Sequence, residues 1–94
     1  MALNHRHQTP AEFATRFWSR VAAVQSSDKV AFSRLMYWLE RRLVAGDITD
    51  AQARNSFNAV FGRTLNAAQW TAARTTRIKP AHDRYAAMLA EGDL

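Results

Sequence analysis

The sequence contains no cysteine, only three glycines and only two prolines. Without cysteine, the fold cannot be stabilised by a disulfide, and a metal site built on thiolates is excluded. The chain also lacks any run of 18 apolar residues, so we expect no membrane-spanning helix. No stretch alternates apolar and polar residues in the manner of a strand, and we therefore expect helices alone.

The first eight residues, MALNHRHQ, have no apolar run after their charges. We therefore expect no secretory signal, but a flexible tail over residues 1–8 followed by a single domain over residues 9–94. The tail contains His5 and His7, which provide too few ligands for a metal site. The lack of a signal and of cysteine favours a cytoplasmic location.

Sequence motifs of catalysis are missing as well. The chain has no glycine-rich phosphate loop and no nucleophile elbow. Most of its eight acidic residues fall at the ends of predicted helices, where they cap the helix or complement its dipole. His82, on the outer face of the last predicted helix, stands alone beside Asp83. We expect neither an enzyme nor a bound metal or cofactor.

Signals for the start of a helix recur three times, as Thr or Asn followed three residues later by Glu or Gln. They lie at residues 9–12, 49–52 and 66–69, and each glycine follows a predicted helix as its end signal. The pattern predicts helices over about 10–24, 28–45, 50–61, 66–78 and 80–91, with a break or kink at Lys79-Pro80. Because the loops are short, we expect an all-α, compact bundle of four to five antiparallel helices.

The second predicted helix has the clearest amphipathic pattern. One face is aliphatic and aromatic, and it carries Phe32, Leu35, Met36, Leu39 and Leu43. The opposite face, which we call the ring-and-arginine face, carries Arg34, Tyr37, Trp38 and Arg41. The first face must be buried. The ring-and-arginine face either binds a partner or packs against a second helix, with the arginine stems over the rings.

The positive charge is carried mostly by arginine and lies mostly in the first half of the chain. Lys29 and Lys79 are the only lysines among 13 basic residues. Arginine binds phosphates bidentately and stacks on flat rings, although a GC-rich genome also enriches a chain in arginine. Residues 1–45 have seven basic and three acidic side chains, whereas residues 46–94 have six and five. We expect a polyanion to meet the N-terminal half first.

Two further groups of arginines lie on other predicted helices. Arg16 and Arg20 share a flank of the first helix, where Glu12 is placed to neutralise Arg16 in part. Trp70, Arg74 and Arg77 share one side of the fourth helix. In one interpretation, Trp70 closes the core edge with its N–H exposed and Arg74 stacks on it. In another, this is the recognition helix of a helix-turn-helix.

These patterns favour a small, basic binding module. Our leading hypothesis is a subunit or accessory of a nucleoprotein complex that contacts nucleic acid with low sequence specificity. Arginines would contact phosphates, and Tyr37 or Trp38 would stack on bases. In size, helical class and charge, the chain resembles the small helical subunits of CRISPR effector complexes. That resemblance implies a basic bundle that tracks a nucleic-acid backbone.

Two alternatives stay open. The chain could be a phage-type adaptor or inhibitor of a larger machine, with arginines and Trp70 as interface anchors. It could also be a homo-oligomeric structural subunit, with Tyr37 and Trp38 in the self-contact. The candidate binding residues under all three hypotheses are Arg16, Arg20, Arg34, Tyr37, Trp38, Arg41, Arg42, Trp70, Arg74 and Arg77.

Overall fold

A computed structural model of the chain describes residues 9–92. Helix α1 is Pro10–Ala23, α2 is Lys29–Ala45 and α3 is Asp50–Phe61. Helix α4, Ala67–Ala73, continues into one π-helical turn, Arg74–Ile78, and then into α5, Lys79–Glu91. No residue in the range 9–92 is in a strand, and the predicted all-α bundle is confirmed. The predicted tail, with His5 and His7, lies outside the described residues.

All three predicted capping boxes form. At the start of α1, the backbone N–H of Glu12 donates to Thr9 Oγ1 at 3.1 Å, and the backbone N–H of Thr9 donates to Glu12 Oε1 at 2.9 Å. The same reciprocal pairs cap α3 and α4. At the end of α2, Gly46 has a φ of 82°, the left-handed conformation that glycine adopts without strain. The helix boundaries therefore follow from local sequence.

The predicted interruption at Lys79-Pro80 takes the form of a widened turn and not of a break. Lys79 keeps helical angles, with φ −64° and ψ −43°, and its N–H donates to the carbonyl of Arg74, five residues earlier. In a regular α-helix, the ring of Pro80 would clash with the carbonyl four residues before it. A π turn just before the proline relieves this clash by changing the hydrogen-bond register.

Helix pairing differs from the simple order of the chain. Helix α1 packs mainly on α3, and α2 packs mainly on α5, whereas α1 and α2 touch lightly. Trp18 Nε1 donates to the carbonyl of Ala53 at 3.0 Å, and the hydroxyls of Thr15 and Ser56 are 3.3 Å apart. From Thr15 to Trp18 the residue number rises along α1, whereas the number of the partner on α3 falls from Ser56 to Ala53. Helices α1 and α3 are therefore antiparallel.

The core lies between the two helix pairs. On α2, Met36 and Leu39 are fully buried, while Phe32, Leu35 and Leu43 pack partly buried against them, as predicted. Trp18 of α1 is at the centre of an aromatic cluster. Its indole makes edge-to-face contacts, at centroid distances of 5.0–6.2 Å, with Phe17, Phe57, Phe61 and Trp70.

We predict that Leu39→Ala lowers the free energy of unfolding by about 2–5 kcal/mol, because it leaves a cavity at a fully buried site. Val44→Ala is the matched control on the same helix. Val44 is 74% exposed, so its truncation should change stability by less than about 0.5 kcal/mol. Urea denaturation of both variants measures the difference. Equal losses would mean that the aliphatic face of α2 does not carry the core.

Candidate functional site

Trp70 is part of the core. Its side chain is 2% exposed, and Nε1 donates to Asp50 Oδ1 at 2.7 Å. The prediction that Trp70 is a partner-binding residue is therefore wrong. The expectation that its N–H faces solvent is also wrong, because Asp50, at the start of α3, accepts that hydrogen. A buried indole cannot enter a DNA groove, so the helix-turn-helix interpretation loses its recognition surface.

Arg74 is held by two acidic residues from different elements. Its Nε and Nη2 donate to the two carboxylate oxygens of Glu40, at 2.9 and 3.0 Å, and Nη1 donates to Asp50 at 3.0 and 3.2 Å. Hydrogen bonding to Glu40, opposed by desolvation, raises the pKa of Arg74, and the charges of Glu40 and Asp50 add to the rise. We call these three residues the ion cluster. Arg74 is consequently unavailable to a partner, which corrects a second prediction.

Tyr37 lies between α2 and α5. Its ring stacks on that of His82, with centroids 5.0 Å apart and an interplanar angle of 11°, and it also contacts Tyr85. The guanidinium of Arg41 lies over the same ring at 5.4 Å. Tyr37 is thus half-buried and cannot stack on a base, and His82 does not stand on the outer face as predicted. For Tyr37, packing against a second helix was the correct interpretation.

Trp38 belongs to the same predicted face but has a different environment. It is 49% exposed and lines an open groove between α1 and α2, of about 560 Å³. We call this the α1–α2 groove. Its floor is apolar and its rim is basic, with a lining of Phe13, Phe17, Arg20, Ala31, Arg34, Leu35, Trp38 and Arg42. None of these lining residues is acidic.

The rim arginines differ in how far they are neutralised. Arg42 lies over the ring of Phe13 at 4.9 Å and is 3.7 Å from Asp47, and both partners of this ion pair are about half exposed. Such an exposed pair contributes little and is easily exchanged for another anion. Within residues 9–92, neither Arg20 nor Arg34 has a carboxylate within 4.0 Å. Arg20 and Arg34 are therefore rim cations without an ion-pair partner among residues 9–92.

A second groove runs along α1 and meets the first. It has a volume of about 790 Å³ and shares Phe13, Phe17 and Arg20 with the α1–α2 groove, adding Arg16. Glu12 was expected to neutralise Arg16, but its carboxylate accepts the capping hydrogen bond from Thr9. Across the described range, no ion pair forms between them. The two grooves thus make one continuous basic surface.

The predicted residues therefore divide into two groups. The structure brings Arg16, Arg20, Arg34, Trp38 and Arg42 together on this surface, with Arg41 exposed nearby on α2. It assigns Tyr37, Trp70 and Arg74 to packing and to the ion cluster, while Arg77 is exposed elsewhere. Phe13 and Phe17 of α1 also line this surface, although they are not among the predicted binding residues. Their spacing with Arg20, at i, i+4 and i+7, is the sequence signal for a shared face.

The surface offers guanidiniums and aromatic rings, and no acidic side chain lines either groove. Guanidiniums of this kind suit anion binding, and exposed aromatic rings suit stacking. In the described part of the chain, no helix combines the length and apolarity needed to cross a bilayer.

The chain matches no family model, and comparisons with curated proteins and with solved structures found no similar protein. The function proposed for the chain therefore depends on its own geometry and charge.

We predict that Arg74→Met destabilises the fold by roughly 2–4 kcal/mol, since it leaves the buried carboxylate of Glu40 without its partner. The double variant Glu40→Leu/Arg74→Met should regain more than half of that loss, because no unpaired charge is left in the interior. Arg77→Met changes an exposed arginine of the same π turn and is the control, which should leave the stability nearly unchanged. Thermal unfolding of the unaltered chain, of the single variants Arg74→Met, Glu40→Leu and Arg77→Met, and of the double variant gives the comparison. A double variant as unstable as the sum of its single variants would show that Glu40 and Arg74 are not coupled.

Proposed function

We propose that this chain is a small, non-enzymatic nucleic-acid-binding module that acts in the cytoplasm as a subunit or accessory of a nucleoprotein complex. The observation that supports it is the α1–α2 groove, in which exposed arginines surround rings and no acid lines the wall. The resemblance in size, class and charge to the small helical subunits of CRISPR effector complexes is compatible with this role.

Phosphate contacts would come from four arginines on the continuous surface. Arg16 and Arg20 approach from α1, and Arg34 and Arg42 approach from α2. The carboxylates of Glu40 and Asp50 do not compete with phosphate for these arginines, because both are bound to Arg74. In residues 9–92, Arg16, Arg20 and Arg34 have no carboxylate within 4.0 Å, so they can bind phosphate without first breaking an internal ion pair. Arg42 would exchange its exposed pair with Asp47 for a phosphate.

Base contacts would come from Trp38, whose ring forms one exposed wall of the groove. A base can reach such a wall only if it is unstacked, as in a single strand. Stacking tolerates any base because every base has a π-face. We therefore propose single-stranded RNA or DNA as the ligand, bound through its backbone and its rings with low sequence specificity.

The salt dependence of binding provides the first test. With four phosphate contacts on a single strand, the log of the binding constant should fall with the log of salt concentration with a slope of about −3. Arg34→Gln should reduce the slope by about 0.7, the contribution of one contact. Fluorescence anisotropy with a labelled oligonucleotide measures both. The absence of binding at about 50 mM salt would refute the proposal.

Substitution of Trp38 provides the second test. Trp38→Ala should weaken single-strand binding roughly 5- to 150-fold, the range for the loss of one stacked base. Because the ring is 49% exposed, the melting temperature should change little. Arg77→Gln removes one positive charge away from the groove and is the control. If Arg77→Gln weakened binding as much as Arg34→Gln, the interaction would depend on net charge and not on the groove.

A second candidate function is a protein adaptor or inhibitor, including self-association. Large apolar side chains are exposed on α2, where Val30, Trp38 and Val44 are 46%, 49% and 74% exposed. Aromatic and arginine side chains together are common anchors of protein interfaces. Adaptor binding would survive salt concentrations that abolish phosphate contacts. Self-association would appear in sedimentation as a mass above the 10.7 kDa of one chain.

A further inference from the structure

A second concave site lies where α1, α2, α3, α4 and the π turn meet, and the proposed nucleic-acid surface does not use it. It is an open cleft of about 470 Å³, which we call the central cleft. This volume falls within the range of roughly 300–1,000 Å³ typical of small-molecule sites. Its floor consists of four buried side chains, one each from α1, α2, α4 and the π turn, namely Trp18, Met36, Trp70 and Ile78.

The walls of the central cleft are aromatic and only partly covered. Phe57 is half-buried, and Phe61, at the end of α3, is 36% exposed. The rings of Trp18, Phe57 and Trp70 meet at centroid distances of 5.0–6.4 Å. Exposed rings beside a buried floor form a site that an apolar group could enter and cover. An apolar ligand there would remove aromatic surface from water.

The mouth of the cleft is basic. Arg63, which follows α3, and Arg77, in the π turn, both line the cleft and are both exposed. Gln69 is the remaining polar side chain of the lining, and no acidic residue belongs to it. Among residues 9–92, neither arginine is within 4.0 Å of a carboxylate. An apolar interior with cations at its opening matches a ligand that has an apolar body and a negative head.

The π turn supplies part of this arrangement. Its extra residue changes the direction of the side chains that follow, relative to those of α4. Within the turn, Ile78 contributes to the floor and Arg77 to the mouth. Pi turns are frequent at functional sites. The local irregularity thus coincides with the side of the cleft where apolar and cationic groups come together.

We propose that the central cleft binds a small amphiphilic anion, a carboxylate with a medium-length aliphatic or aromatic body. The apolar body lies against Trp18, Phe57 and Trp70, and the carboxylate lies between the guanidiniums of Arg63 and Arg77. This site is separate from the α1–α2 groove, so the proposal does not depend on nucleic-acid binding.

The three tryptophans provide separate reporters for the two sites. Trp18 and Trp70 line the central cleft, whereas Trp38 lines the α1–α2 groove. In a nuclear magnetic resonance titration of the ¹⁵N-labelled chain with decanoate, below its micelle concentration, the indole signals of Trp18 and Trp70 should shift saturably. The indole signal of Trp38 should stay in place. Shifts of all three signals, or of none, would overturn the proposal.

The charge of the ligand head is tested with two further probes of the same chain length. Decanol should bind at least threefold more weakly than decanoate, and decyltrimethylammonium more weakly still, because the mouth is cationic. The double variant Arg63→Gln/Arg77→Gln should remove the preference for decanoate over decanol. Arg34→Gln, which changes an exposed arginine outside the cleft, is the control and should preserve it. Equal binding of decanoate and decanol by the unaltered chain would overturn the proposal.

Filling the cleft provides a test that does not involve charge. Ala73 is a half-buried residue of the lining at the end of α4, and leucine is also a good helix former. Ala73→Leu should weaken decanoate binding at least tenfold while the melting temperature stays the same or rises. Unchanged binding by a folded Ala73→Leu protein would contradict the assignment of the site. Should that variant fail to fold, the arginine variants still decide the outcome.

Discussion

The arrangement of the helices depends on the hydrogen bonds that the guanidinium of Arg74 donates to Glu40 and Asp50. This guanidinium joins the π turn to Glu40 on α2 and to Asp50 on α3, and Asp50 also accepts the indole hydrogen of Trp70. The packing of α5 on α2 continues from this point through Tyr37, His82 and the contact of Arg84 with Ser33. A two-sided guanidinium is suited to this role because its planar fork presents several donors in fixed directions.

The ion cluster also decides where positive charge is left exposed. It uses Glu40 and Asp50 internally, while other acidic residues such as Glu12 and Asp28 cap helices. Few carboxylates are left to neutralise the arginines of α1 and α2. The predicted excess of positive charge in the first half of the chain thus appears as a basic surface with rings at its floor. Because the acidic side chains cap helices or bind Arg74, the arginines of α1 and α2 stay exposed.

The helices and the buried face of α2 could be predicted because their signals are local. A capping box spans four residues, and the stripe that contains Met36 and Leu39 repeats with the helical period. The fates of Arg74 and Tyr37 could not be predicted, since their partners are distant in sequence. Glu40 is 34 residues from Arg74, and Tyr85 lies on a helix that is not adjacent to α2 in the chain. For Arg34 and Trp38, exposure was one of two interpretations of the ring-and-arginine face, and only the light contact between α1 and α2 in the structure showed the groove.

The most direct measurement is a titration of the ¹⁵N-labelled chain with a short single strand, monitored at the three indole N–H signals. The hydrogens of Trp18 and Trp70 are bound internally to Ala53 and Asp50, whereas Trp38 is exposed in the groove. If the α1–α2 groove holds the strand, the Trp38 signal shifts while the other two stay in place. Shifts at Trp18 or Trp70 without one at Trp38 would contradict the assignment of nucleic-acid binding to this groove.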